Sequence, residues 1–402
     1  MAAHRAGLPA PQPGRATGAL ASLGYRDFRL LWLGFGGALI GFWMYQVAQS
    51  WLVLRLTNSP LWVGVAAAAS NLPFLILGLL GGVVADRVDR RRLLLVARGL
   101  MALLTGGLGV LTLTGQVAVW HVLVVGFLTG VLWSFELPAR QAMVPELVGR
   151  EALFNAVSLM TVAVNGTRIV GPALGGLLVA AWGEGGAIAV YAVGNVAMVV
   201  MVAMMEYRPP RTSPKAGALV RDAVEGVGYM WREKDVRALV GQAAGIGMWS
   251  AAYQTLLPVF VRDVYGGGAG ELGLLLAAAG LGALAISVLL ALRGDFPRKG
   301  LWVLLTAAAF GATQVLLALA PGQLGGAAAL VGIGAAQTVH SALTTTLILL
   351  VVPSGYHGRL MSAMGMTWGL SLVGSIAVGA LAEVFGAPVA MAVSGLACLA
   401  VR

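Results

Sequence analysis

The chain is short of charge, of acidic residues and of cysteine. Of its 402 residues 16 are Asp or Glu and 26 are Lys or Arg, so charged residues make up 10%, against roughly 25% in soluble domains. So little polarity cannot coat a soluble fold of this size. Hydrophobic residues reach 59% and the mean hydropathy is +0.87, which implies a polytopic membrane protein. The single Cys398 excludes a disulfide within the chain and a cysteine-based metal site. It lies in an apolar run and reads as a small core residue. No Gly-x-x-x-x-Gly-Lys-Ser/Thr loop occurs, so the chain is not expected to hydrolyse ATP. No His/Asp/Glu grouping has metal-ligand spacing, and no nucleophile stands beside a base. Neither enzyme activity, nor a cofactor, nor a metal is therefore expected. The net charge of +10 does not point to nucleic acid, because the basic residues sit in short loops between apolar runs.

Long uncharged runs and 57 glycines are what the chain has in abundance; both suit helices packed backbone to backbone in lipid. A helix needs about 20 apolar residues to cross a bilayer. On that measure twelve spans are expected, at 28–54, 60–84, 93–114, 117–138, 153–181, 186–205, 237–261, 270–292, 301–320, 323–350, 359–382 and 386–401. With the amino terminus inside, the inner loops collect the cations from Arg87 to Arg359, and the outer turns keep only Arg55 and Arg262. The positive-inside rule then places both termini in the cytoplasm.

Residues 1–24 mix Pro, Gly, Ala and Arg and read as a disordered cytoplasmic tail rather than a cleaved signal peptide. The longest polar stretch, 206–236, opens with prolines. It continues with Leu219, Val220, Ala223, Val224, Val227 and Met230 at helical spacing, an amphipathic helix on the inner face. It separates a six-helix bundle at 25–205 from a second at 237–402. The halves echo each other: Met143-Val-Pro145-Glu146-Leu-Val-Gly149-Arg150 in the first is matched by Val351-Val-Pro353-Ser354-Gly355 and Gly358-Arg359 in the second. The fold class expected is an all-α membrane protein with two pseudo-symmetric six-helix bundles and the substrate path between them.

The densest charge cluster is Gly82-Val-Val-Ala-Asp86-Arg87-Val-Asp89-Arg90-Arg91-Arg92, between two apolar runs. It resembles the signature loop between the second and third helices of the major facilitator superfamily, a large group of secondary transporters. Tyr25-Arg26-Asp27-Phe28-Arg29, Gln46-Val47-Ala48-Gln49-Ser50-Trp51 and Glu136-Leu137-Pro138-Ala139-Arg140 look closest to bacterial exporters of the enterobactin-exporter type. The resemblance implies that Gly82 lets helices approach closely. It also implies that Asp86, with Arg87, Arg90 and Arg91, holds a cytoplasmic gate between the halves, Asp86 facing the start of the eleventh span near Gly358. Asp89 stands where that superfamily commonly has Gly, which implies a tighter or shifted turn. Gly171-Pro172-Ala-Leu-Gly175-Gly176 resembles the glycine-proline signature of its exporters. Pro172 removes a backbone hydrogen bond and bends the helix, and the glycines admit a neighbour.

Ionisable residues inside spans are candidates for function. Arg168 lies about fifteen residues into the fifth span, roughly 22 Å from its start. It reads either as a contact for an anionic substrate group or as a structural arginine on helix carbonyls. Arg98 and Glu136 are expected to pair near the inner face, as part of the gate or with Glu136 as a proton carrier. Gln46, Gln49, Asn71, Asn165, Trp249, Tyr253, Gln254, Gln337 and His340 are expected to line a mostly apolar cavity. Within the spans of the second half Glu271, at the start of the eighth, is the one acid. These readings point to a proton-coupled exporter of small amphipathic molecules of drug or siderophore type. The alternatives are an importer or facilitator of a small anionic or polar metabolite and a membrane interaction protein without transport. The expected partners are a small-molecule substrate, protons and membrane lipid, with no nucleic acid, and the expected state is a monomer.

Overall fold

The computed structural model describes residues 20–207, 228, 232–293, 298–352 and 369–401, the side chains of residues 79, 83, 86, 150, 235, 291 and 349 excepted. Every regular element among them is helical. The first half of the chain forms α1 (Arg26–Thr57), α2 (Pro60–Arg87), α3 (Arg90–Leu113), α4 (Val119–Leu147) and α5 (Leu153–Ala203). The second forms α6 (Lys234–Val259), α7 (Ala269–Arg293), α8 (Lys299–Leu319), α9 (Gln323–Val351), α10 (Ser371–Phe385) and α11 (Ala387–Ala400). Eight of these helices are long and apolar enough to cross a membrane, and α10 and α11 are apolar but shorter. The amphipathic stretch at 219–230 and the Pro353–Arg359 motif lie outside the described residues.

Two helices depart from expectation. α4 does not stop at residue 138; it runs on through Pro138 and Pro145 to Leu147. Each proline costs one backbone bond, but ending the helix inside an apolar environment would strand several more polar groups. α5 is 51 residues long and covers two expected spans, joined at Gly183, where φ is 70° and ψ 177°. Left-handed backbone of this kind is open to glycine at little cost. The chain reverses there. Before Gly183, Leu159 meets Trp32 and Gly171 meets Trp43, parallel to α1; after it, Tyr191 meets Gly41 and Met198 meets Gly34, antiparallel to α1.

Within the first half α1 packs along α5, α2 along α4, and α3 along α4 and α5. Within the second α6 packs along α10, α7 along α9, and α8 along α9 and α11. Two long seams join the halves, α5 with α7 and α2 with α10. An apolar cluster including Leu52, Val63, Leu256, Leu272, Val378 and Ala387 spans both halves at the end opposite the amino terminus. A second, including Phe28, Leu31, Leu94, Met143 and Met198, belongs to the first half alone. Close packing rather than exclusion of water holds such helices together in lipid.

Candidate functional site

The glycine-proline segment of α5 is built to touch two partners at once. On one face, Gly171 and Gly175 receive α1: a Cβ at Gly171 would lie 2.5 Å from Trp43 Cβ, and one at Gly175 2.7 Å from Met44 Cα. On the adjoining face, Arg168, Pro172 and Gly176 follow one another at four-residue spacing and face α7. A Cβ at Gly176 would lie 2.5 Å from the Ala269 carbonyl, one at Gly273 2.8 Å from Gly176 Cα, and one at Gly280 2.8 Å from the Arg168 carbonyl. The backbones of the two halves therefore meet over this stretch with no side chain between them.

Arg168 ends this seam. Its side chain is half-buried, with the guanidinium carbon 5.8 Å from the centroid of the Trp43 ring, inside the range of a cation–π contact. No carboxylate pairs with it among the described residues. The sequence singled out Arg168 but not Trp43.

The second seam has the same construction. A Cβ at Gly64 of α2 would lie 3.0 Å from the Ser375 carbonyl carbon, and one at Gly379 of α10 2.9 Å from the Pro60 carbonyl oxygen. At its far end Glu383 of α10 accepts a hydrogen bond from Ser59 Oγ at 2.6 Å and from the Leu61 amide at 3.3 Å. The first amides of a helix have no partner within it. Here an α2 amide is capped by a carboxylate from the other half, and Ser59, the residue preceding α2, gives its hydroxyl to the same group.

The pair expected at Arg98 and Glu136 forms, but as part of a larger cluster and away from the boundary between halves. Arg98 NH2 lies 3.1 Å and Arg140 Nε 3.0 Å from Glu136 Oε1. Arg98 NH1 also donates to Asn195 Oδ1 at 3.0 Å, and the Arg140 guanidinium carbon sits 3.6 Å above the centroid of the Phe35 ring. Arg98 is 1% exposed and Glu136 0%. The cluster ties α3, α4 and α5 together inside the first half. Arg140, expected in an inner loop, is buried because α4 continues past Pro138 and sets it four residues after Glu136. That spacing was the available signal, hidden by ending the span at the proline.

The signature loop also holds the first half together. Asp89 occupies extended backbone and accepts the Arg91 and Arg92 amides on Oδ1, so it caps α3 where a glycine would not. Arg90 pairs with Glu146, which also accepts from the Tyr207 hydroxyl. Burial, followed by that bond, pushes the Tyr207 phenol above its ordinary pKa. Arg91 donates to the Val202 and Ala203 carbonyls at the end of α5, the second at 2.5 Å. Arg87 is exposed. The Asp86 side chain and the residues near Gly358 that it was expected to face lie outside the described residues. Close approach is made by Gly81, where a Cβ would lie 2.9 Å from the Ser134 carbonyl carbon; at Gly82 a Cβ would meet no described atom within 4 Å.

The expected cavity residues divide. Gln46, Asn165 and Trp249 are half-buried. Tyr253, Gln254 and Gln337 come together, with Gln254 Nε2 donating to the Tyr253 hydroxyl at 2.9 Å and that hydroxyl 3.5 Å from Gln337 Oε1. Asn71 donates to the Ala67 carbonyl of its own helix. Gln49 is buried and donates to Ser70 Oγ at 3.4 Å. His340 is buried against α8, with Nδ1 3.4 Å from the Val303 carbonyl.

Among the described residues, apolar helices joined across two glycine seams, with an arginine at the edge of one, give the architecture of a polytopic membrane protein, and the family the chain matches is one of transporters, not enzymes. The chain belongs to the transmembrane secretion effector family of the major facilitator superfamily, whose pattern it matches over residues 17–402. It is 27% identical over 354 residues to the multidrug efflux pump Tap of Mycolicibacterium fortuitum, covering 85% of each chain. It is 27% identical over 337 residues to the enterobactin exporter EntS of Escherichia coli O1:K1 / APEC, covering 83% of this chain and 79% of that one. Among solved structures, a POT family transporter in complex with 5-aminolevulinic acid superposes with a TM-score of 0.76 at 13% identity, covering 94% of both chains.

Proposed function

We propose that this protein is a proton-coupled exporter of small amphipathic molecules, acting as a monomer by alternating access in a bacterial plasma membrane with both termini in the cytoplasm. Twelve crossings in two pseudo-symmetric bundles underlie it; the helix pairings of one half recur in the other, and the two seams are counterparts. The observation that carries the reading is the pair of glycine seams, which close the end opposite the amino terminus by backbone contact and which one rocking motion of the halves would separate. Relatives that export a siderophore or several drugs support the direction and the substrate class.

Substrate binds where the halves diverge, beside Trp43 and Arg168 on one side and Tyr253, Gln254 and Gln337 on the other. Flat aromatic surface and scattered amides suit an amphipathic molecule. Asp86, Arg87, Arg90 and Arg91 serve the cytoplasmic gate. Glu136, the buried carboxylate of the described residues, is held between Arg98 and Arg140; it serves first as a partner of the gate arginines, and proton carriage is its alternative role. The test is accumulation of substrate by inverted vesicles whose lumen is made acidic. Uptake that ignores the gradient removes proton antiport, and Glu136→Gln that keeps the wild-type pH dependence removes Glu136 as the carrier.

A second reading, transport of a small anionic metabolite, is favoured by Arg168 having no acid beside it among the described residues. Arg does not give up its proton, so Arg168→Ala should abolish transport of anionic substrates and spare neutral and cationic ones. Equal loss for all charges, with lowered thermal stability, would assign Arg168 to structure.

A further inference from the structure

A shallow, open apolar groove runs along α3 away from the two glycine seams. It is an apolar channel of about 480 Å³ between α3 and the last turns of α5, lined by Leu95, Val96, Gly99, Leu100, Leu103 and Val199. Its floor is open at Gly99, where a Cβ would meet nothing within 4 Å. A second hollow of about 430 Å³ shares Val96 and continues it to the α2–α3 turn, between Val88, Asp89, Arg92 and Leu93.

Arg92 stands at that end with its side chain 86% exposed. Asp89 is its acidic neighbour, with Oδ2 3.7 Å from Arg92 Nε, while Oδ1 of the same carboxylate is held by the α3 amides. Over residues 86–92 the sequence has four arginines and two aspartates, and Glu146 pairs with Arg90, so one net positive charge is left to the turn. From Arg92 to Leu103 the helix rises about 16 Å, close to half of the roughly 30 Å hydrocarbon thickness. The groove thus has the length of one acyl chain in one leaflet, with cationic charge at the headgroup end only.

We propose that this groove is a site for an anionic phospholipid, with one acyl chain along α3 and α5 and the phosphate at Arg92. A zwitterionic headgroup would bring its own cation to the same arginines and gain less. One cation near an anionic headgroup is worth a preference of about fivefold.

The test is native mass spectrometry of the purified full chain in detergent, titrated with phosphatidylglycerol and phosphatidylcholine of identical chains. Wild type should retain phosphatidylglycerol about fivefold over phosphatidylcholine in its first bound lipid. Arg92→Gln should bring that ratio near one, and Arg92→Lys should keep it. Gly99→Leu, whose Cβ would meet no described atom within 4 Å, should fill the floor and lower retention of both lipids. Inorganic phosphate alone should not displace the lipid. Wild type without a preference, or both Arg92→Gln and Gly99→Leu behaving as wild type, would overturn the proposal, as would displacement by phosphate.

Discussion

In the first half of the chain α3 meets α5 through Arg98 and Asn195, and the contact continues through charge to Glu136 and Arg140 on α4. In the second half α8 meets α11 through neutral groups. Ser394 Oγ lies 3.0 Å from Gln314 Oε1 and from the Trp249 carbonyl, and Gln314 Nε2 donates to Cys398 Sγ at 3.7 Å. Both sites are buried and both tie helices within one half. The difference lies in what losing one member costs. A buried charge left without its partner is severely penalised, whereas a neutral hydrogen bond contributes little net stability. The charged site thus binds three helices of the first half more strictly than the neutral site binds those of the second.

The largest effect tests the charged cluster. Glu136→Gln leaves two guanidinium groups facing each other and should lower stability by about 3–5 kcal/mol, read as thermal unfolding in detergent. Arg98→Gln should be costly as well, and the double variant should cost less than the sum of the singles. Additive costs would dissolve the cluster as a unit and with it the contrast between the halves.

Next come the seams. Gly273→Val sets a side chain between two backbones and should cost about 1–3 kcal/mol, while shifting the molecule toward separation at the end opposite the amino terminus. Spin labels on the exposed Leu56 and Val384 would show a longer distance population; an unchanged distribution would mean that the seam gives way without opening.

The neutral counterpart should be milder. Gln314→Leu and Ser394→Ala should each cost about 1 kcal/mol in the same unfolding measurement. A loss as large as that of Glu136→Gln would show that charge is not what separates the halves.

The smallest effect belongs to Glu383→Gln. Its bonds to Ser59 and Leu61 lie at an exposed end, where a charged contact is worth less than about 1 kcal/mol. Overall stability should be nearly unchanged, and the long Leu56–Val384 distance population should rise slightly. No change in that population would leave Glu383 as an ordinary helix cap.

Much of the site could be read along the chain, because the signals were local. Arg168 stood out as a charge in an apolar run, and Gly171, Pro172, Gly175 and Gly176 as a dense motif on one helix. The glycines that answer them, Gly273 and Gly280, are seven residues apart on α7 but carry no mark of their own among so many glycines. Glu383 and Ser59 are 324 positions apart, and no spacing rule links them. Nor does spacing link His340 to the Val303 carbonyl, which belongs to another helix.

What the chain by itself determined is its solvent and its punctuation. Scarcity of charge demands lipid, and apolar runs of spanning length between arginine-rich turns demand helices crossing it, since backbone polar groups in hydrocarbon must be satisfied within the segment. What only the tertiary structure decided is which face of each helix meets which neighbour. It decided that α4 stays helical past Pro138 and so buries Arg140 beside Glu136. It decided that close approach falls to Gly81 rather than Gly82, and that Gly171 and Gly176 serve different partners. The physical reason is that lipid and protein interiors are almost equally apolar to a side chain. Hydropathy therefore marks a span without marking its contact face, and the match of small residues and buried charges across helices settles the rest.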